Sequence, residues 1–226
     1  MDNRHLKTTV YCDHEHHQIK YLAEELAQNN DDKLHFVKEA FFYVRDEVRF
    51  GADLWQVKAS DTLKKKYGAC YNKNLLLMAI LRNQGIECAL SSNPMSRTFC
   101  RPCIGQACKT FSNPFQHCFT RVWVNNRKID IDPTLDKRTF EAFFKPAGVK
   151  WSVDWNDSGM PPLYEESISG AAEFYDDIDN ALNSNLESWY IFKHEPALLL
   201  RFWLWLGNVR MWKTADRILH EKTSEK

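Results

Sequence analysis

The sequence lacks both a long apolar run and an excess of one charge. Its most apolar stretch, residues 197–206, is interrupted by Arg201 and is too short to span a bilayer. Thirty Lys and Arg residues balance thirty Asp and Glu residues, so the formal net charge is zero. We therefore expect no transmembrane segment, and no nucleic-acid partner attracted by a basic field.

Two further features are missing: an apolar signal-peptide core near the N-terminus and an even number of cysteines. Residues 1–7 are polar. Seven cysteines cannot all form disulfides with one another, so we expect reduced thiols and a cytoplasmic location. The 44% hydrophobic and 13% aromatic content is enough for a core, which excludes a disordered protein.

Apolar spacing predicts three helices in the first part of the chain. Asp13 is the predicted cap of the first, and residues 30–32 are the predicted cap of the second. The third covers residues 70–84, between Gly68 and Gly85, and its middle is apolar nearly all round. Such a helix is typical of a central, largely buried position.

A strand and a β-hairpin are predicted after the third helix. Residues 87–90 form the strand, and residues 91–116, rich in proline, serine and cysteine, are predicted to be an inserted loop. Residues 117–124 and 127–132 alternate in polarity on either side of Asn125-Asn126. Asparagine tolerates positive φ, so this pair makes an acceptable two-residue turn.

Cys70 is the first candidate for chemistry, because it lies at the predicted start of a helix. Unpaired N–H groups and the positive end of the helix dipole favour an anion there, which lowers a thiol pKa and makes a nucleophile. The alternative is structural: a small apolar residue that begins a buried helix.

The hairpin supplies a candidate base and a group to orient it. With the turn at Asn125-Asn126, His117 and Asp132 are diagonal neighbours on one face of the hairpin, whereas Asp130 lies one step farther from the imidazole. Together with Cys70 they would form a nucleophile, a base and an orienting carboxylate. Alternatively, His117 merely starts a strand and Asp132 caps a turn.

Three sequence blocks resemble the bacterial transglutaminase-like superfamily. They are Lys-Ala-Ser-Asp-Thr-Leu at 58–63, Gly-Ala-Cys with its helix ending Leu-Arg-Asn-Gln-Gly-Ile at 68–86, and the His and Asp strands at 117–134. The resemblance covers residues 14–140. It implies an α+β, papain-like core, with the helix that carries Cys70 packed on an antiparallel sheet. It also implies catalytic roles for Cys70, His117 and Asp132.

The resemblance further implies a cysteine-dependent acyl transfer, by hydrolysis or transamidation of an amide or thioester. The implied partners are a peptide, amide or acyl-thioester substrate, and no cofactor is expected. Two alternatives stay open. One is an amide-forming acyltransferase or cyclase that uses an acyl group on a carrier protein, and the other is a non-catalytic binding module that retains the fold.

An oxyanion site would need two donors near Cys70. The Cys70 backbone N–H is the first, and Trp55 and Gln56 are the candidates for the second.

Two segments lie outside the predicted core elements: the insert at 91–116 and a C-terminal extension. We expect a core at 14–145, which contains the insert, and an irregular loop and helical extension at 146–226 packed on it. We expect free thiols at Cys100, Cys103 and Cys108 of the insert; the alternatives are a zinc site, for which they would supply three of the four ligands, or a disulfide.

An amphipathic C-terminal helix is predicted from about residue 196. It would bury its apolar side against its own domain or a second copy, giving a homodimer, or against a membrane surface. The predicted apolar side consists of Leu198, Phe202, Trp205, Val209, Trp212, Ala215 and Leu219.

Overall fold

A computed structural model describes residues 3–28, 32–149, 151–156, 173–175, 178–184 and 197–224. Its helices are α1 His17–Ala27, α2 Lys33–Glu47, α3 Ala59–Lys65, α4 Cys70–Asn83, α5 Arg101–Ile104, α6 Lys137–Thr139, α7 Ile178–Ser184 and α8 Ala197–Ser224. Its strands are β1 Arg49–Phe50, β2 Tyr67–Gly68, β3 Glu87–Met95, β4 Phe115–Val124, β5 Arg127–Ile131 and β6 Glu173–Tyr175. Single turns of 3₁₀ or π helix occupy Asn3–Leu6, Arg97–Cys100, Gly105–Thr110 and Phe140–Phe144.

The main sheet is antiparallel, with strand order β5-β4-β3-β6, and a short parallel pair joins β1 to β2. The hairpin β4–β5 turns at Asn125 and Asn126, whose φ values of 50° and 59° match the expected two-residue turn. Thr120 pairs with Ile131 and Arg121 with Asp130, which is the register predicted from the sequence.

Helix α4 is the centre of the fold. It is buried continuously from Cys70 to Arg82, and it packs between α1, α2 and α3 on one side and β3 and β4 on the other. The apolar character of its middle predicted this position. The α+β prediction, with the Cys70 helix packed on an antiparallel sheet, is confirmed.

The two predicted helix caps have different outcomes. Asp32 caps α2 as expected, accepting hydrogen bonds from the N–H groups of Leu34 and His35. The Asp13 prediction is wrong: α1 begins at His17 with His16 as its cap. Asp13 instead accepts hydrogen bonds from the Ser60 N–H and hydroxyl, at 3.0 and 2.6 Å, and so ties the N-terminal segment to α3.

The segment 91–116 is not a loop throughout. Residues 91–95 continue β3, and β4 already begins at Phe115, so that Met95 pairs with Phe115. Buried backbone groups require partners, and the longer ladder supplies them where the composition predicted a loop. Short helical turns fill most of the space between the two strands.

The predicted apolar side of the C-terminal helix is wrong in its first half. Leu198, Phe202 and Trp205 of α8 are 84%, 53% and 46% exposed. The Asn208 side chain accepts from the Ala52 N–H and donates to the Ala52 carbonyl, each at 2.8 Å, which fixes the rotation of the helix. The buried residues of α8 are Leu200, Asn208, Met211 and Ala215.

Helix α8 packs on the core near β1. The Trp212 indole donates to the Phe50 carbonyl at 2.8 Å, and Arg49 pairs with Asp216 at 3.1 Å. Within the described ranges, no helix has the length and apolar character needed to cross a membrane. Much of the irregular segment predicted after residue 146, at 157–172 and 185–196, lies outside the described residues.

Candidate active site

Cys70 is the first residue of α4. Ala69, just before it, is extended (φ −81°, ψ −176°), and its N–H donates to the Asn72 side chain at 2.9 Å. The N–H groups of a first helical turn have no partner within the helix, and the helix dipole is positive at this end. The thiol is 8% exposed and lies on the wall of a cavity.

His117 and Asp132 meet beside Cys70. The His117 Nε2 atom lies 2.7 Å from the Asp132 Oδ2 atom, and both residues are 4% exposed. His117 and Cys70 line the wall of the same cavity. Because Nε2 is hydrogen-bonded to the Asp132 carboxylate, Nδ1 is the ring nitrogen that is free to interact with the Cys70 sulfur. Asp130 is occupied elsewhere, in a two-point ion pair with Arg121 at 2.6 Å.

Asp132 is itself held in place by Thr134. Its Oδ1 atom accepts hydrogen bonds from the Thr134 N–H, at 3.0 Å, and from the Thr134 hydroxyl. This leaves Oδ2 for the imidazole. The sequence reasoning missed Thr134, although an Asp followed two residues later by a threonine is a recognisable local hydrogen-bonding pattern.

Asn74 fastens the Cys70 helix to the sheet, and it was also missed as a site residue. Its side-chain N–H₂ donates to the Cys70 carbonyl at 2.8 Å and to the Cys118 carbonyl at 3.0 Å. Its oxygen accepts from the Thr120 hydroxyl at 2.7 Å. A lone amide on an otherwise apolar helix is the signal that could have found it, since buried polar groups require partners.

The surroundings of Cys70 and His117 favour their charged forms. A hydrogen bond from the Cys118 thiol, then the hydrogen bond and charge of His117, outweigh burial and hold the pKa of Cys70 well below its usual value. Burial disfavours the imidazolium, but Asp132 and Cys70 overcome it and raise the pKa of His117 to about 10. The site therefore favours a thiolate–imidazolium pair. Cys118 was missed because strand alternation places it on the opposite face from His117.

Five of the other thiols have the opposite tendency. All seven cysteines are free. Burial is the first cause in each case: it raises the pKa of Cys12 and Cys103 to about 12 and that of Cys88 to about 11, and it holds those of Cys100 and Cys118 well above the usual range.

The two candidates for a second oxyanion donor, Trp55 and Gln56, differ in position: only Trp55 lines the cavity beside Cys70. Trp55 stacks on Tyr71, with ring centroids 4.0 Å apart, and lines the cavity beside Cys70. The Gln56 side chain donates to Asn183 at 2.9 Å in an exposed position and does not line this cavity.

The three cysteines of the insert are not arranged around a common metal position. Across the described residues, which include Cys100, Cys103 and Cys108, no group of three or more His, Cys, Asp or Glu side chains is arranged to hold a metal ion. Cys103 instead donates its S–H to the Cys100 carbonyl at 3.1 Å.

A comparison with protein-family models matches residues 20–133, half of the 226-residue chain, to the transglutaminase-like superfamily. The chain belongs to this superfamily. The matched residues of this transglutaminase-like protein include Cys70, His117 and Asp132. The family resemblance stated from the sequence is confirmed, and it supports a cysteine-dependent enzyme at the level of the superfamily. No curated protein matches the chain.

Solved structures of low identity match parts of this chain. A candidate cysteine protease from Cytophaga hutchinsonii is 18% identical, with a TM-score of 0.46, covering 57% of this chain and 40% of its own. A candidate protease from Parabacteroides distasonis is 14% identical, with a TM-score of 0.39, covering 57% of this chain and 24% of its own. Red sea bream transglutaminase is 13% identical, with a TM-score of 0.36, covering 52% of this chain and 26% of its own. The chain therefore spans less than half the length of each.

Proposed function

We propose that this protein is a cysteine-dependent acyl-transfer enzyme with Cys70 as nucleophile, His117 as acid and base, and Asp132 as the orienting carboxylate. The observation that carries the proposal is the 2.7 Å hydrogen bond between His117 Nε2 and Asp132 Oδ2 beside the Cys70 thiol. A carboxylate in this position holds the imidazole tautomer and stabilises the imidazolium that proton transfer creates.

The first half of the reaction forms an acyl-enzyme. The Cys70 thiolate attacks the carbonyl carbon of an amide or thioester, and the electron pair of the C=O bond moves to oxygen. When the tetrahedral intermediate collapses, the bond to the leaving nitrogen or sulfur breaks and the His117 imidazolium donates its proton to that atom.

The second half releases the acyl group. Neutral His117 accepts a proton from water or from an amine as that nucleophile attacks the thioester carbonyl. The Cys70 sulfur leaves as a thiolate, stabilised again by the imidazolium. Water gives hydrolysis and an amine gives transamidation; no step uses a cofactor.

The oxyanion needs donors aimed at the carbonyl oxygen. The Cys70 backbone N–H, at the start of α4, is one. We assign the second donor to Trp55, because Trp55 lines the cavity, whereas Gln56 does not line it and donates to Asn183 instead.

The test is to trap the acyl-enzyme. The protein is incubated with libraries of peptides, small amides and acyl thioesters, and intact-mass spectrometry detects an adduct, which peptide mapping assigns to Cys70. Cys70→Ala should abolish the adduct, and the matched variant Cys88→Ala, at another buried thiol, should retain it. Adding an amine or a carrier-bound acyl group separates hydrolase from transferase.

An adduct that survives in Cys70→Ala would contradict the proposal. So would a Cys70 that no acyl donor in the three libraries modifies, a result that favours a binding module which retains the fold without turnover.

A further inference from the structure

A cavity of about 930 Å³ opens beside the candidate nucleophile. Cys70 and His117 lie on its wall, the turns between β3 and β4 form a second wall, and α8 forms a third. This volume is near the upper end of the range for small-molecule sites, about 300–1,000 Å³, and far exceeds what one short polar side chain would fill.

The cavity walls are mainly apolar. Among the described lining residues other than His117, Asp53 and Arg210 are the charged ones, and Asp53 is paired with Lys65. The apolar side chains come from the insert, from the segment after β5 and from α8. They include Phe99, Ile104, Phe111, Leu135, Leu200 and Met211.

The threonine hydroxyls and the Asn208 amide of the lining are already engaged within the protein. The hydroxyls of Thr110, Thr134 and Thr214 donate to the Ala107 carbonyl, the Asp132 carboxylate and the Arg210 carbonyl. Asn208 is engaged with the Ala52 backbone. With these groups engaged, a peptide-like substrate buried here would lose hydration and gain few matching partners, whereas an apolar group has no polar atoms to desolvate.

The apolar surface continues from the cavity to the outside along α8. Trp203 lines the cavity and is 62% exposed, so its ring spans wall and exterior. Leu199 and Phe202, its neighbours on the helix, are 51% and 53% exposed. A group longer than the cavity could therefore extend along the helix without entering a polar environment.

We infer that this cavity binds a fatty acyl group whose carbonyl reaches Cys70. The inference rests on the proposed acyl transfer and names its acyl donor. In the reaction Cys70 forms a thioester with the fatty acyl carbon, the bond to the donor's sulfur, oxygen or nitrogen breaks, and His117 protonates that atom.

A chain-length series tests the inference directly. The donors are N-acetylcysteamine thioesters with saturated acyl groups of 2 to 12 carbons, and the rate of Cys70 acylation is measured by intact mass. Each methylene that enters the cavity should raise kcat/KM by up to about 4-fold. A flat or falling series, with the acyl-enzyme still forming, would overturn the inference while leaving the proposed chemistry intact.

Gly207 offers a way to fill the cavity without disturbing the core. It lines the cavity, and a Cβ added there would meet no heavy atom within 4 Å. Gly207→Trp should lower the ratio of 12-carbon to 2-carbon kcat/KM by about 10-fold or more, whereas the matched Gly207→Ala should change it by less than about 2-fold. Thermal unfolding of both variants checks the fold. An unchanged ratio in a folded Gly207→Trp would contradict the inference.

A binding measurement separates this inference from the proposed reaction. Cys70→Ala is titrated with dodecanamide and with acetamide, and binding is followed by calorimetry. Binding of dodecanamide that Gly207→Trp weakens would support the acyl site even if no thioester acylates the protein, whereas no binding would overturn it.

A second arm of the experiment identifies the source of the acyl group. Dodecanoyl thioester and phosphatidylcholine vesicles are offered separately to the wild-type protein. A fatty acyl adduct from vesicles identifies a lipid donor, and one from the thioester alone identifies a soluble donor; either adduct supports an apolar acyl site.

Discussion

Two cysteines on the wall of one cavity have pKa values shifted in opposite directions. Cys70 receives a hydrogen bond from Cys118 and lies beside His117, which holds its pKa well below the usual range. Cys103 donates its S–H to the Cys100 carbonyl, and burial raises its pKa to about 12. Cys70 is buried and Cys103 is partly buried, yet the pKa of the more buried thiol is the one that is lowered, so burial alone does not decide their reactivity. A neighbouring charge that stabilises the thiolate does.

The largest expected effect comes from removing the charge of Asp132, the carboxylate that orients His117. Asp132→Asn removes the charge that stabilises the His117 imidazolium, so turnover should fall by about 10³- to 10⁴-fold. The matched variant Asp130→Asn, one step away on the same face of the hairpin and paired with Arg121, should retain most of the activity. Steady-state kinetics with the trapped acyl donor measure both. A larger loss in Asp130→Asn would reverse the assignment.

The next prediction compares the thiols in one experiment. Iodoacetamide at neutral pH should label Cys70 at least about 10²-fold faster than Cys103, whose thiolate fraction is very small. Because the pKa of Cys70 is lowered, its rate should vary little between about pH 6 and 8, whereas the rate at Cys103 should still rise with pH. Peptide mapping gives each rate, and denatured protein, where all seven thiols are exposed, is the control. Equal labelling in the folded state would refute the comparison.

His117→Ala should lower the labelling rate of Cys70 toward that of Cys103. Loss of the imidazolium removes a hydrogen bond and a charge that lower the pKa of Cys70, so labelling at pH 6 should slow by about 10-fold or more. His35→Ala, at a side chain 57% exposed on α2, is the control and should leave the rate unchanged. If His117→Ala leaves labelling unchanged, the thiol is not activated by the imidazole.

The smallest expected effect concerns Cys118. Cys118→Ala removes the hydrogen bond that its thiol donates to Cys70, which should raise the pKa of Cys70 and slow labelling at pH 6 by about 3- to 10-fold. Cys88→Ala, at another thiol buried in the core, should have no effect on the rate. An acceleration in Cys118→Ala would mean that the neighbouring sulfur hinders the nucleophile rather than activating it.

Local patterns predicted the elements that hold the site. The bounds of α4, the Asn125-Asn126 turn and the register that brings His117 to Asp132 all follow from short-range rules. Periodicity failed where nearly every position is apolar: in residues 197–206 it favoured the side of Leu198, Phe202 and Trp205, whereas Asn208 fixed the rotation of α8. Composition also failed at 91–95, where pairing with β4 extends the strand.

By itself, the sequence determined where Cys70, His117 and Asp132 lie on their own elements, because helix starts, alternation and turn residues act over a few neighbouring positions. Only the tertiary structure decided what surrounds them. The contact of Cys118 with Cys70, the support from Asn74 and Thr134, and the cavity closed by α8 join segments far apart in the chain. Such contacts depend on side-chain packing and on the partners available to buried polar groups, which no local pattern encodes.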